Sequence, residues 1–237
     1  MQDLIAFEAL SAAETLSWAL DTFARSFAIA TSFQKEGMVV LDLATRISPS
    51  VRVFTLDTGR LPDETYRMID TVYSRYGTRV EVVSPDPAEV SAMVSAHGRD
   101  LFYDSADSRQ MCCDVRKVRP LARKLHELDA WATGLRREQS ETRAALPRVE
   151  RVDGRIKINP LVDWTTGEVD RYIREHDVPV HPLYARGYAS IGCAPCTRPV
   201  TPGDDPRSGR WWWEQDTHKE CGIHFDLNNR PIRIART

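Results

Sequence analysis

The sequence predicts an α/β protein: a parallel sheet flanked by helices, followed by an irregular C-terminal segment. Three observations carry this. Short apolar, β-tolerant runs alternate with helical spacing through residue 159, helix caps punctuate that alternation, and periodicity fades from Pro179 onward. A chain of 237 residues can bury a substantial core. A formal net charge of −2 gives no overall attraction for nucleic acid or an anionic membrane. The start, Met1-Gln2-Asp3-Leu4, lacks the basic and apolar segments of a signal peptide, and no apolar run approaches a membrane span. A cytoplasmic protein is the expectation.

Ser11 and Glu14 have capping-box spacing, for a helix to about Arg25. Phe27 to Thr31 reads as the first strand, Ser32 to Gly37 as a loop, and Met38 to Arg46 as a helix. Val51 to Leu56 is the second strand, with a turn at Asp57-Thr58-Gly59-Arg60. Pro62 suits the first position of a helix ending near Tyr76, before Gly77. Val80 to Val83 is a third strand and Ala88 to Ala96 a helix. Ser108 to Leu128 reads as helix in two pieces, because Pro120 starts a turn more easily than it sits inside one. Ala130 to Gly134 is a fourth strand, and Asp153-Gly154 signals a hairpin between residues 149–152 and 155–158. Thr165 and Glu168 repeat the capping-box spacing, for a helix to about His176. Ligands of parallel sheets bind beyond the carboxyl ends of the strands, which directs attention to the loops Ser32–Gly37, Asp57–Arg60 and Gly134–Arg143.

Five cysteines carry the chemistry: Cys112-Cys113, Cys193-Ala194-Pro195-Cys196, and a solitary Cys221. A structural disulfide framework is unexpected in a reducing compartment, so the clustered thiols point to metal or catalysis. Four thiolates can hold a zinc ion or an iron–sulfur cluster. Adjacent helical side chains diverge by about a hundred degrees, which suits the separate corner irons of a cube better than one zinc. Two buried structural cysteines beside an unrelated CxxC remain the plain alternative. Cys221 lies among His218, Lys219 and His224, cations that favour a thiolate, with Glu220 opposing them. A small core hydrophobe is an equally good account of it.

These residues, with Leu56-Asp57-Thr58-Gly59-Arg60, Arg116-Lys117, Thr133 to Ser140, Arg207-Ser208-Gly209-Arg210-Trp211-Trp212 and Glu220-Cys221-Gly222-Ile223-His224, resemble the iron–sulfur branch of the phosphoadenylyl-/adenylyl-sulfate reductase family, assimilatory adenylyl-sulfate reductases. The resemblance runs from Thr31 to His224. It implies an adenine nucleotide α-hydrolase-like fold, with a nucleotide-binding, cluster-bearing domain over 1–199 and a catalytic tail over 200–237. It also implies a four-iron, four-sulfur (4Fe-4S) cluster on Cys112, Cys113, Cys193 and Cys196. Cys221 is then the nucleophile that takes the sulfonyl group from adenylyl sulfate, with thioredoxin releasing sulfite in sulfate assimilation and cysteine biosynthesis. Reduction of 3′-phosphoadenylyl sulfate is the nearest rival, and a non-catalytic zinc or iron–sulfur redox sensor is a rival of another class.

Within that reading, Lys117 lies one helical turn past Cys113 and joins Cys221 and His224 as catalytic residues. Ser32, Phe33, Asp57, Thr58, Gly59, Gly134, Arg136, Arg143, Arg207 and Arg210 are the candidate substrate contacts. Gln34 and Lys35 stand where many relatives carry small residues, so no tight phosphate cradle is expected in the first loop. Packing is the expected role of Trp211, Trp212 and Trp213. The expected partners are adenylyl sulfate and thioredoxin, not nucleic acid or membrane, with a homo-oligomer left open.

Overall fold

The computed structural model describes residues 4–140 and 143–214. Six strands form one sheet: β1 (Phe27–Ala30), β2 (Arg52–Leu56), β3 (Val80–Val83), β4 (Ala130–Ala132), β5 (Val149–Val152) and β6 (Arg155–Ile158). Their spatial order is β3-β2-β1-β4-β6-β5. β2, β1, β4 and β6 run parallel, with Ile29 opposite both Val53 and Ala132, and Ala132 opposite Ile158. β5 pairs antiparallel with β6 through the expected hairpin, whose corner residues Asp153 and Gly154 have φ of 49° and 80°. That left-handed pair is what the Asp-Gly turn supplies.

Seven α-helices flank the sheet among the described residues: α1 (Ala12–Phe23), α2 (Lys35–Ile47), α3 (Asp63–Tyr76), α4 (Pro87–His97), α5 (Ala106–Cys113), α6 (Arg119–Leu125) and α7 (Thr166–His176). Both expected capping boxes form, Ser11 with Glu14 at α1 and Thr165 with Glu168 at α7. Asp86 caps α4, its Oδ1 accepting from the Ala88 and Glu89 amides.

Two details differ from expectation. α2 begins at Lys35, so the loop after β1 is only half as long as the polar run suggests. Lys35 pairs with Asp170 at 2.7 Å, and Glu36 accepts from Arg136. The second difference lies between α5 and α6, where Asp114–Val118 forms a π-helical turn instead of a break at Pro120. Pro120 is the second residue of α6, a position that tolerates its missing N–H.

The chain folds as two compact units, each assembled from several segments. One takes residues 1–55, 63–81 and 125–181; the other takes 56–62, 82–124 and 182–237. The segment expected to be a separate tail from residue 200 belongs, as far as it is described, to the second unit. The first unit holds the main core, where Ile29, Val53, Ala132 and Ile158 meet Leu16, Met38, Leu41 and Val169. Its polar centre is Asp42, which accepts from Tyr76, Tyr172 and Arg46. Burial first, then the Asp42 carboxylate, pushes both tyrosine hydroxyls above their usual range. The second unit has its own apolar cluster, in which Met93, Leu101, Phe102, Val115 and Trp211 surround the four cysteines.

Candidate functional site

Cys112 and Cys113 are the last two residues of α5, which starts at the Ser105 cap, where the Ser105 hydroxyl accepts from the Ser108 amide. The π turn follows directly, a helix irregularity often found at functional sites. Cys193 caps, and Cys196 ends, a one-turn 3₁₀ helix (Ala194–Cys196) containing Pro195. Thr197 staples that turn, since its hydroxyl donates to the Cys193 carbonyl and accepts from the Gly192 amide. The Ala194 amide donates to the Arg60 carbonyl, tying the turn to the segment after β2.

All four thiols are buried, and none is in a disulfide. They line one cavity together with Arg60, Phe102, Arg109, Arg116, Lys117, Pro195 and Trp211. The end of α5 and the CxxC turn, some eighty residues apart in the chain, thus bring the quartet to one place. Among the described residues, no group of three or more His, Cys, Asp or Glu side chains is arranged to hold a single metal ion.

The cations divide the thiols electrostatically. Burial would raise Cys193, but Lys117, a hydrogen-bonding contact of 3.2 Å with the Thr58 hydroxyl, and Arg210 outweigh it and hold this thiol below the usual range. Burial pushes Cys112 up against the opposing pull of Arg116. Burial and the neighbouring Cys193 push Cys196 up to about 12. Lys117 is the cation that lowers Cys193 most.

Asp57 and Gly59 build a turn, with the Gly59 amide donating to Asp57 Oδ1 and Gly59 at a φ of 67° that favours glycine. Thr58 is buried, faces Cys193, and offers its carbonyl to Arg116. Arg210 is buried over the Trp211 ring and donates to Ser190. A Cβ at Gly192 would land on its guanidinium. Arg207 is partly buried, and its backbone amide is held by Asp205.

In the other unit, Ser32 is exposed while Phe33 is fully buried with a φ of 57°, a conformation that costs energy in a residue with a side chain. The Phe33 amide donates to Thr31 Oγ1. Gly134 is required by close packing, since a Cβ there would stand 2.7 Å from the Gly37 nitrogen. Arg136 is buried and commits its guanidinium to Glu36, Glu138, the Trp164 carbonyl and Thr166. Arg143 is buried and donates to Gln139. Arg136 is thus placed as an internal tie rather than as an open cation. Cys221 and His224 lie outside the described residues.

Packing accounts for Trp211, which is 1 % exposed, and for Trp213 against Phe102 and Tyr103; Trp212 is exposed beneath Arg198. The sequence did not single out Arg60, Arg109 and Phe102 as neighbours of the cysteines. Arg116 was visible only as part of the Arg116-Lys117 pair. No spacing signal marks Arg109, whose partner Glu214 is 105 residues away.

A family profile described as "Phosphoadenosine phosphosulfate reductase domain" matches residues 26–199. The chain is 53% identical to an adenosine 5'-phosphosulfate reductase of Allochromatium vinosum, over 84% of this chain and 78% of that one. It is 46% identical to the chloroplastic 5'-adenylylsulfate reductase 3 of Arabidopsis thaliana, over 92% of this chain and 49% of the relative. Among solved structures it resembles a phosphoadenylyl-sulfate reductase from Candida auris, with a TM-score of 0.70 and 30% identity, covering 82% of this chain and 96% of that one. Yeast FAD synthetase, at 14% identity and a TM-score of 0.54 over 84% and 69% of the two chains, shares the fold alone. The fold is adenine nucleotide α-hydrolase-like.

Proposed function

The chain belongs to the phosphoadenosine phosphosulfate reductase domain family, and on that premise we propose that it reduces adenylyl sulfate to sulfite and AMP. The observation that carries the reading is the cavity shared by Lys117 and four buried thiols, none of them in a disulfide. The relatives at 46–53% identity are named for the nucleotide without a 3′-phosphate, which favours that substrate over its 3′-phosphorylated form.

The residues present fit an iron–sulfur cluster. Four thiols supply the donor set, Phe102 and Trp211 exclude water, and Arg60, Arg116 and Lys117 supply positive charge to balance thiolates. When bound on Cys112, Cys113, Cys193 and Cys196, a 4Fe-4S cluster supplies a fixed inorganic charge centre in that cavity. Its role in this reading is electrostatic and structural.

The chemistry falls to side chains. The Cys221 thiolate attacks the sulfur of adenylyl sulfate, so the S–O bond breaks, an S–S bond forms, and AMP leaves with the bonding pair. Lys117 stabilises the charge that develops as the phosphate departs. A thiolate of reduced thioredoxin then attacks the Cys221 sulfur and expels sulfite. Its second thiol resolves the mixed disulfide, so the two electrons come from the dithiol. His224 supports the Cys221 thiolate. The candidate substrate contacts are Ser32, Phe33, Asp57, Thr58, Gly59, Gly134, Arg143 and Arg207.

Sulfite release from each nucleotide by iron-replete protein, with reduced thioredoxin, tests the reading. Preference for adenylyl sulfate is expected. Preference for the 3′-phosphorylated nucleotide would overturn the substrate assignment, and no sulfite from either would overturn the activity.

A further inference from the structure

Asp114 and Arg119 form a side-chain pair at a spacing that an α-helix does not bring together. Arg119 Nε donates to Asp114 Oδ2 at 2.9 Å, five residues back along the chain. In an α-helix, residues three and four apart are neighbours, while residues five apart diverge by about 140°. The pair meets because Asp114–Val118 is a π turn, in which the Arg119 amide donates to the Asp114 carbonyl. The same two residues thus close the turn twice, once through backbone and once through side chains. Arg119 is also braced from α4, since its Nη1 donates to Glu89 Oε1 at 2.9 Å.

That register decides where Lys117 points. Lys117 is the fourth residue of the turn; it lines the cysteine cavity with Cys112, Cys113 and Arg116 and is a hydrogen-bond partner of Cys193. Continued as an α-helix, the chain would carry Lys117 about 140° around the axis from Cys112 and about 40° beyond Cys113. A turn closed five residues on advances less at each step, which swings Lys117 back between the directions of the two cysteines. The α register would also make Asp114 and Lys117 neighbours at i and i+3, so the carboxylate would compete with the cavity for the ammonium. Arg119 gives Asp114 another cation.

We propose that Asp114 and Arg119 are positioning residues for Lys117: their pair, braced by Glu89, selects the π register that aims the ammonium into the cysteine cavity. The proposal rests on the part given to Lys117 in the reduction of adenylyl sulfate. Neither Asp114 nor Arg119 is among the residues lining the cavity, and both act through Lys117.

The test uses full-length, iron-replete protein and two readouts. AMP release in a single turnover without thioredoxin reports the chemical step, and hydrogen exchange over residues 114–119 reports the turn. Asp114→Asn and Arg119→Gln each remove one charge and keep a polar side chain. The two side chains are 41% and 48% exposed, so their pair is weak and its effect modest. Each substitution is expected to slow AMP release about fivefold at saturating adenylyl sulfate, equal to about 1 kcal/mol. The half-saturating nucleotide concentration and the cluster absorbance should not change, while exchange over the turn should quicken by a similar factor. In a Lys117→Ala background neither substitution should slow AMP release further, because the ammonium they position is gone. A merely structural role would leave the two effects additive. Wild-type AMP release in both variants, unchanged exchange over the turn, additivity with Lys117→Ala, or absorbance lost in step with rate overturns the proposal. Undiminished AMP release in Lys117→Ala alone overturns the role of Lys117 instead, and no AMP from the wild-type chain overturns the activity.

Discussion

Lys117 and Gly134 show how differently two single residues can matter here. Lys117 lines the cysteine cavity and is the leading cation in lowering Cys193. Lys117→Ala is expected to cost about a hundredfold or more in turnover while the cluster absorbance survives, as removal of one charge-stabilising donor typically does; an unchanged rate would return Lys117 to a structural role. Gly134 matters through space alone. Gly134→Ala puts a Cβ within 2.8 Å of the Glu36 backbone and is expected to lower stability by about 1–3 kcal/mol, read as a lower urea midpoint at unchanged slope. His181 is buried, hydrogen-bonded to Thr65 Oγ1 at 3.0 Å, and burial depresses its pKa. A depressed histidine binds its proton more weakly when folded, so acid favours the unfolded chain. The urea midpoint should fall as pH drops below about 6.5, and His181→Gln should flatten that slope. A wild-type midpoint independent of pH over that window would contradict the assignment.

At the scale of elements, the local signals were the legible ones. Both capping boxes, the Asp153-Gly154 hairpin and the first four strands follow from short-range chemistry, and each forms close to where the residues place it. Thr165→Ala should therefore cost about 1 kcal/mol of stability by removing one capping hydrogen bond, and a change below measurement error would show the cap to be redundant. The start of α2 was not legible, because Gln34 makes no side-chain cap and Lys35-Glu36 reads as loop. What makes that turn helical comes from afar: Lys35 meets Asp170 across 135 residues, and Glu36 meets Arg136 across 100. The π turn at Asp114–Val118 was hidden for a similar reason. It directly follows the two cysteines, which share a cavity with the CxxC turn some eighty residues later in the sequence.

For the whole molecule, the identities of the site residues could be read before their arrangement. The five cysteines and Lys117 stood out by type and spacing. The arginines that surround the quartet did not, since an arginine's fate depends on partners such as Glu214 and Thr58 that only folding brings near. The same holds for Arg136, whose partners Glu36 and the Trp164 carbonyl lie 100 and 28 residues away. The proposed function divides the labour: one buried quartet of thiols would hold the inorganic centre, and a separate thiol would do the covalent work. Peptide mapping of the iron-replete protein after mixing with adenylyl sulfate, reductant withheld, tests that division most directly. The account predicts the sulfonyl group on Cys221 and on none of Cys112, Cys113, Cys193 or Cys196; its recovery on any of those four, or on no cysteine, would contradict it.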